Sequence, residues 1–393
     1  MGRPGPDAVG TVRILICHRT TRSTNPIETF GSLPYASLPQ GTEQKDLSRT
    51  LPSTTSPLSS QGMRATHPTL AHAPVLDDCT SPSAIRPYTG CMRHTSLGLN
   101  RFCLLVCVAL LGLNAPHAHA WGDEGHRLIN RLAILNLPPD APAFLRAPAA
   151  LDEIEYLGPE PDRWRSPLEP ELVAAQAPEH FIDLELADAL GPLPQKRLDF
   201  EARVFANGER PERVGLLPWQ TQEIWERLKA AFRAYRQLQA AHKDTAPVEQ
   251  AIIFYAGWLG HYAGDGSQPL HTTIQYNGWV GPNPNGFTTA HTIHWEFEGP
   301  FVAANLRAPQ IQSLIAPFHA MTGDIFNPFV DYLRQSATHV DEVYMLEKSG
   351  GFVGAGTPQS RTFAAQRLAA GASMLRDLIE SAWLQSATPA PQR

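Results

Sequence analysis

Residues 247–271 read PVEQAIIFYAGWLGHYAGDGSQPLH. The part from Pro247 to Asp265 is apolar through most of its length and reads as a helix buried among others. His261 and Asp265 break that apolarity. They stand four residues apart, so a helix places both on one face with Cβ atoms about 6 Å apart. Gly266 to Pro269 then stop the helix, and His271 arrives from the turn that follows.

Working outward, the flanking sequence repeats the helical period. PWQTQEIWERLKAAFRAYRQLQAAH (218–242) is amphipathic with proline near its start, and GHRLINRLAILNL (125–137) runs into Pro138 and Pro139. HTIHWEFEGPFVAANL (291–306), NPFVDYLRQSATHVDEVYMLE (327–347) and RTFAAQRLAAGASMLRDLIESAWLQ (361–385) continue the pattern. No βαβ alternation and no series of alternating strands appears. The expected fold is all-α, a compact multi-helix single domain with long loops over residues 121–388. Residues 389–393 are expected to fray.

The first 120 residues have another character. Residues 1–91 are rich in Ser, Thr, Pro and Arg without a sustained period, and are expected to be disordered or an over-extension of the reading frame. From Met92 the order is a basic stretch (MRHTSLGLNR), an apolar run (FCLLVCVALLGL) and a tail ending in Ala-His-Ala. That is the order of an export signal. As a membrane anchor the apolar run falls short of the ~20 residues needed to span a bilayer. Cleavage after Ala120 leaves Trp121 as the first residue of a secreted or periplasmic protein. All five cysteines precede Trp121, so the mature part needs no disulfides in an oxidising compartment. From Trp121 onward 22 Lys and Arg face 32 Asp and Glu, a net charge of −10. Bulk charge therefore excludes a basic nucleic-acid binder, although a bound cation cluster reverses the sign locally.

Donor residues gather in a few motifs. His294 and Glu298 repeat the four-residue spacing of His261 and Asp265, whereas His291 and Glu296 are more poorly spaced. APEHFIDLE offers His180 and Asp183, EPDRWR offers Asp162 and Arg165, and His126 lies five residues beyond Trp121. One such histidine is ordinarily a hydrogen-bonded core residue, and one such pair a helix-face contact. Two helical His-x3-acid pairs, a histidine between them and no cysteine together point to zinc, which accepts imidazole and carboxylate ligands. His242, His319 and His339 lack such company.

Together these motifs resemble the superfamily of fungal and plant single-strand-specific zinc nucleases and bacterial zinc phospholipases C. The resemblance spans most of residues 121–305, and the C-terminal helices match only in character. It implies three zinc ions. The first is held by Asp162, His180, His261 and Asp265, and the second by His271, His294 and Glu298. The third is held by the α-amino and carbonyl groups of Trp121 with His126 and Asp265. An amine locked in a peptide bond cannot ligate, so signal cleavage builds this last site. The resemblance gives Arg165 a place at the phosphate and Asp183 a role as acid/base group or as brace for a zinc-binding histidine. One departure matters: His294-x3-Glu298 is the phospholipase form, where the nucleases have aspartate.

The implied reaction is phosphodiester hydrolysis, with metal-acidified water attacking phosphorus in line. Single-stranded DNA or RNA is the expected substrate, in an endonuclease or 3′-nucleotidase reaction. Unpaired bases would stack on rings in or beside the motifs (Trp164, Phe181, Tyr276, Trp279 and Trp295) at ~1–3 kcal/mol each. Residues 275–290, rich in Gly, Asn and Pro, are expected to form a loop over the cleft with Trp279 in contact with substrate. The alternatives are a phospholipase C acting on lipid headgroups and a zinc-binding protein without turnover.

Overall fold

The computed structural model describes residues 121–388, so the expected extension, export signal and frayed tail lie outside the described residues. Eight helices of nine residues or more carry the architecture of that part: α1 Gly122–Leu135, α2 Pro148–Leu157, α3 Arg197–Ala206, α4 Leu217–Ala240, α5 Ala246–Ser267, α6 Phe326–Ala337, α7 Val340–Lys348 and α8 Pro358–Gln385. Backbone pairing between extended residues is limited, among the described residues, to two isolated bridges, Ile182 with Gly215 and Tyr276 with Gly278. The fold is all-α, as the helical periodicity leads one to expect. No helix among the described residues is long and apolar enough to cross a membrane.

α5 is the axis of the molecule, packed against α4, α8, α2, α1 and α6. From Leu259 to Ser267 every residue is buried. Three glycines on one side of α5 make this possible. A Cβ on Gly257 would lie 2.5 Å from the Leu157 side chain of α2. One on Gly260 would meet the Asn130 side chain of α1, and one on Gly264 would lie 3.0 Å from His126 Nδ1. The spacing 257, 260, 264 follows the helical period, so the glycines form one seam along which α1 and α2 approach the axis. Asn130 stitches the seam, donating to the carbonyls of Ile154 (2.8 Å) and Gly257 (3.0 Å).

α4 buries Ile224, Trp225, Leu228, Phe232 and Tyr235, the single stripe its periodicity announces. α8 starts at Pro358 behind a reciprocal cap, with Ser360 N donating to Thr357 Oγ1 and Thr357 N to Ser360 Oγ. Two segments differ from the sequence reading. Residues 327–347, read as one helical stretch, form α6 and α7, separated where His339 leaves the helical region at φ −98° and ψ 4°. Residues 293–305 are continuously helical but widen into a π turn at Phe297–Phe301. Pro300 lies inside that turn, has no N–H to give and crowds the preceding turn, and the wider π geometry accommodates it.

Candidate metal centre

α5 presents His261 and Asp265 toward α1, the turn after α2 and the His180 segment. Trp121 begins α1 in the left-handed region at φ 44°. Its buried indole N–H donates to Gly264 O (2.8 Å) and Ser267 Oγ (2.9 Å) on α5. That anchor ties the start of α1 to the segment holding Asp265 and brings His126 with it.

All nine residues expected to ligate zinc are buried: Trp121, His126, Asp162, His180, His261, Asp265, His271, His294 and Glu298. Eight of them offer side-chain donors in three groups: His126, His261 and Asp265; Asp162, His180 and His261; His271, His294 and Glu298. His261 joins the first two groups. Its Nε2 lies 2.9 Å from His180 Nδ1 and 3.4 Å from Asp265 Oδ2. Asp265 Oδ2 is 3.2 Å from His180 Nδ1, and its Oδ1 is 3.5 Å from His126 Nε2. In the third group Glu298 Oε1 lies 3.2 Å from His271 Nε2 and 3.0 Å from His294 Nε2.

Backbone carbonyls orient three of the imidazoles. His261 Nδ1 faces Gly158 O at 2.9 Å, His271 Nδ1 faces His180 O at 2.6 Å, and His294 Nδ1 faces Tyr276 O at 3.0 Å. A carbonyl only accepts, so each Nδ1 carries the hydrogen. The Nε2 of each ring then points inward, where a neutral imidazole offers the lone pair that a metal-ligating histidine requires. Gln268 braces the third group: its Nε2 donates to Glu298 Oε1 while its own oxygen accepts from Leu270 N.

The charge balance decides what these donors suit. Neither carboxylate oxygen of Asp265, nor Glu298 Oε2, nor His180 Nε2 has a hydrogen-bond partner. Buried polar atoms rarely go without one. Burial, reinforced by Asp162 and Glu298, pushes Asp265 well above the usual carboxylate range. Burial also lowers His180 to about 3 and His261 well below its ordinary value. For Glu298 burial acts upward, but His294 and His271 outweigh it and hold the carboxyl at about 2. Burial acts to lower His294, but Glu298 beside it outweighs that and raises the imidazole, so these carboxylates draw positive charge, from protons or from a cation. Divalent ions placed in these groups would take up the Asp265 and Glu298 carboxylates, so the donor set fits a metal centre built from buried His, Asp and Glu.

The centre opens on a cleft of about 600 Å³ with His180, His271 and His294 in its wall. Arg165, Asp183, Phe181 and Tyr276, all singled out from sequence, line the same cleft. Arg165 Nη1 stands 3.6 Å from Asp162 Oδ1. Burial, then Glu185, pushes Asp183 up to about 7, with Arg213 acting in the opposite sense. Trp279 is not among the residues lining the cleft. Its loop does form, but the ring packs on Phe287 (4.8 Å) and Tyr344 (5.2 Å) and its N–H donates to Pro282 O. The three rings form a small apolar core that anchors the loop, and Tyr276, Asn277 and Val280 face the cleft instead. Trp164 leans on Trp258 and bonds Glu160, and neither it nor Trp295 lines the cleft.

Sequence reading overlooked Arg213 and Glu212, which also line the cleft. They get there because Gly215, at φ 88°, lets residues 213–217 run against 178–183. Asp183 N donates to Val214 O (2.8 Å) and Leu217 N to Phe181 O (3.1 Å), and a Cβ on Gly215 would fall 2.2 Å from Phe181 O. No local signal foretells that contact. Gln268 had one, standing within the motif between Asp265 and His271. No protein-family model, curated protein or solved structure matches the chain.

Proposed function

We propose that the chain is an exported zinc-dependent phosphodiesterase, an endonuclease or 3′-nucleotidase acting on single-stranded nucleic acid. The observation that carries this reading is Asp265, whose buried carboxylate lacks any hydrogen bond among three imidazoles beside a cleft that also holds Arg165. Three zinc ions are the proposed complement, held by Asp162, His180, His261 and Asp265, by His271, His294 and Glu298, and by the Trp121 terminus, His126 and Asp265. Bound zinc supplies an acidified water and an electrophile for phosphoryl oxygen.

The remaining roles belong to the chain itself. Arg165 holds a phosphate oxygen through its planar fork, which suits a tetrahedral oxyanion. Asp183 carries or takes a proton near neutral pH, where general acid–base catalysis is most effective. Tyr276, half exposed at the cleft rim, and Phe181 offer ring faces to unpaired bases. A phospholipase C reading has its own support: Leu186, Leu270, Ile274 and Val280 make much of the cleft wall aliphatic, as an acyl-bearing substrate would want.

The test uses protein beginning at Trp121. Metal is counted, and hydrolysis of single-stranded DNA, RNA and phosphatidylcholine is compared. Bound zinc with nucleic-acid cleavage is the expected result. Cleavage of phosphatidylcholine alone transfers the assignment to the lipid reading, and a zinc-replete protein inert toward all three overturns both. One residue added before Trp121 is expected to lower zinc content, and unchanged content and rate would remove the terminus from the ligand set.

A further inference from the structure

A second cavity, of about 590 Å³, lies between α6, α8 and the segment around Ala316. Its wall on the α6 side is fixed. Tyr332 donates its hydroxyl to Ala263 O (2.8 Å) and Ser336 to Gly266 O (2.6 Å), both on α5 beside Asp265. Along α8 it runs from Arg367 to Asp377, ten residues or about 15 Å of helix.

Its two ends differ in charge balance. At one end Asp377 is neutralised by Arg376, whose Nε and Nη2 lie 2.8 and 2.7 Å from Asp377 Oδ1. At the other end Arg367 is half-buried, its guanidinium carbon lies 6.0 Å from the Phe363 ring centre, and its Nε is shut off from solvent without a hydrogen-bond partner. Burial lowers Arg367 from its ordinary value, with Tyr332 and then Glu342 acting in the opposite sense, and Glu342 is itself bonded to His339 Nδ1 (2.9 Å). Gln335 and Gln366 line the same cavity, and their carboxamides make no hydrogen bond among the described residues. A half-buried guanidinium with no carboxylate bonded to it, flanked by two exposed amides that can turn their N–H groups toward it, offers several donors to an anion.

We propose that this groove binds a small oxyanion, held by Arg367 with Gln335 and Gln366 as flanking donors. The site is separate from the metal cleft and does not depend on the reaction assigned there. Phosphate and carboxylate share the required chemistry: two or more acceptor oxygens on one charged group, matching the guanidinium fork.

Calorimetric titration of the zinc-loaded protein with inorganic phosphate and with acetate tests it, comparing wild type with Arg367→Gln, Arg367→Lys and Arg165→Gln. The expected result is a binding event for at least one of the two anions that weakens tenfold or more in Arg367→Gln. It should persist in Arg165→Gln and be largely kept in Arg367→Lys, which retains the charge. Unchanged thermal unfolding of Arg367→Gln shows that the loss is local. Binding of neither anion, or binding lost in Arg165→Gln and kept in Arg367→Gln, overturns the proposal.

Discussion

Asp265 shows at one residue how function and stability oppose each other. Its carboxylate is buried among like charges and unsatisfied, a costly placement unless a cation joins it. Asp265→Asn is therefore expected to stabilise chelator-treated protein by about 1–3 kcal/mol. In zinc, the same variant should lose metal and activity together. Urea unfolding with and without chelator, beside a metal count, checks both arms, and a variant less stable without metal contradicts the account. Asp183 gives a pH test. Its carboxyl stands at about 7 in the fold against an ordinary 3.8, so the folded state holds a proton that the unfolded state releases. The stability of that protonated form is fully present below 3.8 and is lost as pH rises through 7. Asp183→Asn should match wild type near pH 4 and exceed it at pH 8 by a gap on the order of 1–4 kcal/mol. Measuring the difference in chelator cancels the other titrating groups, and a gap that does not grow between pH 4 and pH 8 counts against the raised carboxyl.

At the scale of elements, the glycine seam of α5 sets how near α1 can come. A methyl group at Gly260 collides with the Asn130 carboxamide, whose displacement would strain its bonds to Ile154 O and Gly257 O. Gly260→Ala is expected to cost about 1–3 kcal/mol in thermal or urea unfolding, the usual scale for overpacking. Gly264→Ala is milder on the fold, since its Cβ at 3.0 Å from His126 Nδ1 asks for a small displacement. Its effect should appear in zinc content, with the group containing His126 weakened while the group of His271, His294 and Glu298 stays loaded. Equal loss from both groups would show that the seam does not act through His126.

Across the described residues, the donor groups that could hold a metal lie inside the core that folding builds. The side chains that could hold a metal come from α1, α5, the segments holding Asp162, His180 and His271, and the π-turn helix, which span the sequence from 126 to 298. A metal that binds the folded chain stabilises all of them together, by about 2.7 kcal/mol per site at a hundredfold excess over Kd. Chelation is therefore expected to lower the melting temperature of the whole domain in one transition, restored by added zinc. Scanning calorimetry checks this, and a melting temperature indifferent to chelator would separate the centre from the fold. Much of this was legible beforehand. Helices α4 and α8 follow from period and α5 from its long apolar run, and His261–Asp265 and His294–Glu298 from spacing within a single helical run. Arg213 and the packing of Trp279 were not, because one rests on residues 214–217 pairing with 181–183 and the other on Tyr344 of α7 closing over the loop with Phe287.

By itself, the sequence determined what depends on near neighbours along the chain: helical class, the donor types, and the His-x3-acid pairs that a 3.6-residue turn brings together. Only the tertiary structure decided which donors share a group, with His261 common to two of them, which carbonyls turn three Nε2 lone pairs inward, and which aromatic rings face the cleft. The physical reason is range. Helical propensity and periodicity act over a few residues, while the burial that pits Asp265 against Asp162 and Glu298 arises only when segments distant in sequence are packed beyond the reach of water.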